Sequence, residues 1–175
     1  MSNVDNIAIR QTWVEEQTER YAKELKETED DAFLYFVAAL LLGCSPEDVE
    51  PEDVVDGRQD KQIDFVHIED DEDKSEAEIT IIQAKNTRGF GSNVAIQIRN
   101  GLSWIFERSK QQFSKLDNES FKNKITELRQ LRNEYGASNL TVRVFHATNG
   151  DSGDLSAEYR EEANILREKY TNLGF

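Results

Sequence analysis

The chain has 175 residues, with 35 acidic against 21 basic side chains for a net charge of −14, 37% hydrophobic residues, two prolines, nine glycines and one cysteine. A chain of this size buries roughly two-thirds of the surface its unfolded form exposes, so one domain over residues 1–175 is expected to hold without metal or disulfide staples. Sparse Pro and Gly exclude collagen-like and linker-like chains, and Cys44 has no partner for an internal bridge, which points to a reducing, intracellular setting.

The longest apolar run, residues 32–42, is well short of the roughly 20 residues that a membrane helix needs. The polar start, residues 1–5, opens no signal peptide, so a cytoplasmic protein is expected. Net negative charge by itself counts against a nucleic-acid partner, since phosphate binding is carried by Lys and Arg. The charge is uneven, however: residues 1–84 hold 7 basic and 24 acidic groups, whereas residues 85–132 hold 10 and 4.

In chain order, Val14, Tyr21 and Leu25 recur at helical spacing between charged residues over 7–26, the pattern of a surface helix. Thr28 with Asp31 reads as a capping box opening a second helix, apolar nearly all round and therefore buried, which Gly43 closes. Val54-Val55 reads as a short strand stopped by Asp56-Gly57. Residues 63–68 and 79–85 read as a hairpin of β-branched strands, with 69–77 as its acidic, solvated loop. That loop carries six carboxylates but lacks the central Gly and alternating ligands of a calcium loop. A helix from about Asn93 presents Ile98, Leu102, Ile105 and Phe106, slightly weakened by Gly101; another over 119–135 presents Phe121, Ile125, Leu128 and Tyr135. Residues 140–147 alternate as a strand, and Leu155, Tyr159, Ala163, Leu166 and Tyr170 mark a last helix. The order predicts an α/β fold, a central mixed sheet flanked by helices. Leu173 and Phe175 read as the start of another buried segment, as if the chain were an N-terminal piece of a longer protein.

Two polar groups stand where packing would not ask for them. Gln83 and Lys85 share one face at the end of an apolar strand, and pairing with residues 63–68 would bring Asp64 opposite that end. A carboxylate, an amide oxygen and an ammonium around one point suit phosphodiester hydrolysis, in which Mg²⁺ takes hard oxygen ligands and the ammonium meets charge developing on phosphate. His67 and His146 have no second ligand at metal spacing and read as packing or hydrogen-bonding residues.

Asp31-Ala32-Phe33, Asp56-Gly57-x-x-Asp60-x-x-Ile63-Asp64 and Ile81-Ile82-Gln83-Ala84-Lys85, in this order, resemble the PD-(D/E)XK nuclease superfamily in the variant where glutamine replaces the second acid, as in Mrr-type restriction enzymes. More closely, they look like the N-terminal nuclease part of abortive-infection phage-resistance (AIPR) proteins. The resemblance spans about residues 28–86 and implies a restriction-endonuclease-like αβββαβ core. It implies Asp64 and Gln83 as metal ligands for Mg²⁺ or Mn²⁺, Lys85 as the catalytic lysine, Asp60 as an accessory acid and Asp31 as the acid of the first helix, with Glu29 and Asp30 as neighbours that could replace it. The family pattern commonly shows a second Gly before Ile-Asp, where this chain has Lys61-Gln62, and AIPR proteins are far longer than this chain.

The leading expectation is a metal-dependent endonuclease domain in phage defence. Its nucleic acid, DNA in preference to RNA, would lie on the basic segment through Arg88, Arg99, Lys122, Arg129 and Arg132. A second copy of the chain or a missing C-terminal region would complete it. The alternative is an inactive domain of the same fold acting as a protein-binding or regulatory module. A third class, an acidic imitation of DNA, leaves Gln83 and Lys85 unexplained.

Overall fold

The structure is a computed structural model describing residues 3–91 and 93–172, with side chains from residue 6. Residues 1 and 2 of the polar start, and Leu173 and Phe175, lie outside the described residues.

Helices α1 (Asn3–Leu25) and α2 (Glu29–Leu42) form a hairpin. Asp31 N–H donates to the Thr28 hydroxyl, which opens α2, and Gly43 at φ 73° closes it with its N–H on the Ala39 carbonyl. Six α2 residues from Ala32 to Ala39 are buried, but Leu40 and Leu41 are exposed, so the helix is less enclosed than its composition predicts.

Strands β1 (Phe65–Asp71) and β2 (Glu76–Lys85) pair antiparallel, and β3 (Leu140–Thr148) pairs parallel to β2, giving a three-stranded mixed sheet in the order β1-β2-β3. The predicted strand at Val54-Val55 is reduced to one bridge, Val54 to Phe65. A 3-10 turn, Pro51–Asp53, precedes it and Gly57 at φ 140° follows, so the chain has no room to extend. The acidic loop is also shorter than predicted. Glu69, Asp70 and Asp71 remain in register with Glu78, Ala77 and Glu76, and only the tip turns, because backbone pairing continues while the carboxylates stay in water.

Between β2 and β3 lie α3 (Val94–Phe106), the short α4 (Lys110–Phe113), which was not predicted, and α5 (Glu119–Tyr135); α6 (Ala157–Asn172) follows β3. Alternation divides the core in two. Val66, Ile79 and Ile81 face α3 and α5 with Leu102, Ile105, Phe121 and Ile125, while Phe65 and Ile82 face α2 with Leu34 and Ala38.

Gly101 is where this packing is tightest. A Cβ there would sit 2.6 Å from Ile63 Cγ1 and 2.7 Å from the Lys61 carbonyl oxygen, so the segment before β1 lies directly on α3. Gly101→Ala is therefore expected to destabilise the fold by about 1–3 kcal/mol despite alanine's better helix propensity, read as a lowered thermal midpoint. An unchanged or raised midpoint would show that this contact is loose.

Candidate metal centre

The register Phe65 to Ile82 carries Asp64, just before β1, opposite Gln83. Asp64 is locked at both ends of its peptide: its N–H donates to the Ile82 carbonyl, and its carbonyl accepts from Val55 and Asp56 N–H. Its side chain is buried, and Oδ2 accepts from Gln83 Nε2 and from the Ala84 N–H, each at 2.7 Å. When Asp64 is a carboxylate Oδ2 only accepts, so the Gln83 amide presents its nitrogen there and turns Oε1 elsewhere. Gln83 is only 3% exposed, and Oε1 has no hydrogen-bond partner among the described residues. A buried carbonyl without a donor costs on the order of 1–3 kcal/mol, so a native structure keeps one where something else satisfies it.

Oxygens of Asp56, Asp60 and Asp64 lie within 4.8 Å of one another. The loop that gathers them is strained. Gln59, Lys61 and Gln62 all have φ near +60°, and Asp60 Oδ1 accepts from the Gln62 N–H at 2.7 Å. Left-handed backbone costs a non-glycine residue roughly 1–2 kcal/mol. Glycine would adopt this conformation freely, so Lys61-Gln62 holds the loop's shape at a conformational cost. Burial pushes the Asp64 carboxyl up to about 7, offset in part by the Ala84 N–H and reinforced by the charges of Asp56 and Asp60, while Lys85 lowers it. Asp56 is also raised, by burial first and then by Asp60.

These groups line one cavity of about 360 Å³ together with Asp30, Leu34, Gln62 and Lys85. Lys85 is exposed at the end of β2, with no ion pair among the described residues. A larger cleft of about 420 Å³, between α3, β3 and α6, contains none of the acids.

Of the residues chosen from the sequence, Asp60, Asp64, Gln83 and Lys85 come together here. Asp31 does not line the cavity: it accepts from the Thr28 hydroxyl at 2.6 Å and closes the capping box, although its charge still reaches Asp56. Asp30, one residue earlier on the helix, lines the cavity in its place. Asp56 went unassigned because Asp-Gly reads as a turn; the equal spacing of Asp56, Asp60 and Asp64 was the available signal.

The five basic residues chosen for nucleic acid do not converge on the cavity. Arg88 is held by both carboxylate oxygens of Glu15, Arg99 by Glu162, and Lys122 by Glu119. Arg129 donates to the carbonyls of Trp104 and Ile105, and Arg132 is half-buried beside it. His146 bonds Tyr159, His67 bonds Asp53, and Cys44 is free and exposed.

The three clustered donors are all carboxylate oxygens, with no imidazole or thiolate among them, and Gln83 lines the same cavity. This donor set fits a hard divalent cation such as Mg²⁺ or Mn²⁺. No family model matches this chain, and neither the curated proteins nor the solved structures contain a significant match.

Proposed function

We propose that this chain is a metal-dependent endonuclease domain that hydrolyses phosphodiester bonds of nucleic acid, DNA in the first place. The observation that carries this reading is the buried Gln83 Oε1, left without a donor beside three clustered carboxylates. The helix, bridge, hairpin, helices and parallel strand follow the order of a restriction-endonuclease-like αβββαβ core, the first strand reduced to the Val54 bridge. A role in phage defence in the cytoplasm follows from the likeness of the three motif blocks to AIPR proteins. No helix among the described residues is long and apolar enough to cross a membrane.

In this reading Asp64, Gln83 Oε1 and the carboxylates of Asp56 and Asp60 hold the cation. A bound divalent cation supplies Lewis acidity toward a phosphate oxygen and a more acidic water. Ala84 N–H and Gln83 Nε2 fix the rotamer of Asp64, so its free oxygen is presented without searching. Lys85, unpaired and at the mouth of the same cavity, places its ammonium against the negative charge that grows on the phosphate oxygens during attack.

Calorimetric titration of Mn²⁺ into wild type and Asp64→Ala tests the assignment directly. Wild type is expected to bind weakly, because much of the cation's shell remains water, and Asp64→Ala to lose most of that heat. Equal binding by both would overturn the site. Binding by wild type with no cleavage of DNA in Mg²⁺ or Mn²⁺ would assign the chain to the non-cleaving module instead.

A further inference from the structure

Lys61 follows Asp60 directly, yet its side chain leaves the acid cavity and lies over Trp104 of α3, the ammonium 5.0 Å from the ring centroid. Arg108, one turn further along, places its guanidinium 5.3 Å from the same ring. The contact at Gly101 explains how this forms. The Lys61 carbonyl rests against α3 there, and Trp104 lies three residues on, on the same face of the helix. Arg129 holds this end of α3 through the Trp104 and Ile105 carbonyls.

Lys61 and Arg108 also differ from most basic residues chosen by sequence. Neither forms an ion pair within 4.0 Å of a carboxylate among the described residues, although the Arg108 charge is felt by Glu107. Glu107, next to Arg108, is occupied by Lys169 and the Tyr170 hydroxyl. An aromatic ring orients a cation and limits its conformational freedom without neutralising it. Both cations sit on one indole, and Lys61 is joined by a single peptide bond to Asp60 of the acid cluster, so the ring carries pre-oriented positive charge on the chain segment that leads into the negative site.

We infer that Lys61 and Arg108, held on Trp104, form a phosphate clamp for the nucleic-acid strand that enters the Asp56–Asp60–Asp64 cavity. The inference rests on the nuclease reading above and names the path by which substrate reaches that site. The clamp receives backbone phosphates on the α3 side, where the repulsion of the three aspartates is offset, and it reads charge rather than sequence.

The test is anisotropy of a labelled DNA duplex in EDTA, where no metal-dependent cleavage intervenes, at a series of salt concentrations. Lys61→Gln/Arg108→Gln is expected to weaken binding and to lower the slope of log affinity against log salt by about 1.8, or about 0.9 for either single change. Lys23→Gln/Lys26→Gln, in the last turn of α1 and just after it, removes the same charge and should leave the slope unchanged. Trp104→Phe should retain most of the affinity and Trp104→Ala should lose part of it, because the ring positions the cations. An unchanged slope in the clamp variant, an equal fall in the α1 variant, or no DNA binding by wild type would overturn the clamp. Failure of the nuclease reading is separable: wild type would bind through the clamp yet cleave nothing when Mg²⁺ or Mn²⁺ replaces EDTA.

Discussion

Lys85→Ala is expected to reduce the rate of DNA cleavage by about 10²–10³ while leaving the thermal midpoint close to wild type. The two halves have separate causes. Lys85 is exposed at the strand end and makes no ion pair among the described residues, so the folded state loses little when its ammonium is removed. The phosphate oxygens gain negative charge only in the transition state, so the loss falls on kcat rather than on KM, and preorganised charge at a reacting centre is worth about 2.7–4 kcal/mol. Lys85→Arg should recover part of the rate, because it restores the charge but not its compact shape. A folded Lys85→Ala enzyme that cleaves at the wild-type rate would show that the ammonium takes no part, and the site would reduce to its oxygen ligands.

The second large effect concerns stability. Asp53 is almost fully buried, with Lys124 Nζ at 2.6 Å from one oxygen and His67 Nδ1 at 2.6 Å from the other. This arrangement ties the Pro51–Asp53 turn to β1 and to α5, immediately before the segment that carries Asp56. Asp53→Ala would leave Lys124, whose side chain is 13% exposed, with only the 3.6 Å contact to Glu127. Breaking a buried pair from one side costs about 3–5 kcal/mol, which corresponds to a fall of roughly 10 °C in thermal midpoint for a chain of this size.

The same network makes that difference depend on pH. The bond to Asp53 raises His67 above its usual 6.5, so this contribution is complete below pH 6.5 and fades as pH rises through the folded value. Asp53 is pushed up by burial but pulled further down by His67 and Lys124, so its net shift is below 3.8. That contribution is complete above pH 3.8 and fades as pH falls through the folded value. The stability gap between wild type and Asp53→Ala, measured by urea unfolding, should therefore be widest between about pH 4 and 6.5 and narrow toward alkaline pH. A gap that widens above pH 7 would show that His67 is not charged in this network.

Much of the scaffold was readable along the chain because it rests on local rules. Helical spacing of Phe121, Ile125 and Leu128, the Thr28 cap and the Gly43 stop each act within a turn or two, and α2 and α5 begin and end where those signals place them. β-branched content in residues 79–85 and alternation in 140–147 reported two strands for the same reason, and Gln83 and Lys85 stood out because a polar pair on an apolar strand needs another explanation. What tertiary structure alone decided involves groups distant in sequence. Register placed Asp64 against Gln83 and left Oε1 without a donor. Three left-handed residues drew Asp56 into the cluster, which no helical or strand period describes. Asp31 and Asp30 both suit a first-helix acid, and only the capping bond to Thr28 separated them. Composition also counted positive charges without showing which were already engaged. Arg88, Arg99 and Lys122 were taken by carboxylates 73, 63 and 3 residues away, while Lys61, in the acidic half of the chain, stayed unneutralised over Trp104. Local periodicity is set by neighbours in sequence, whereas a site is set by which charges and lone pairs remain unsatisfied once the whole chain has closed around them.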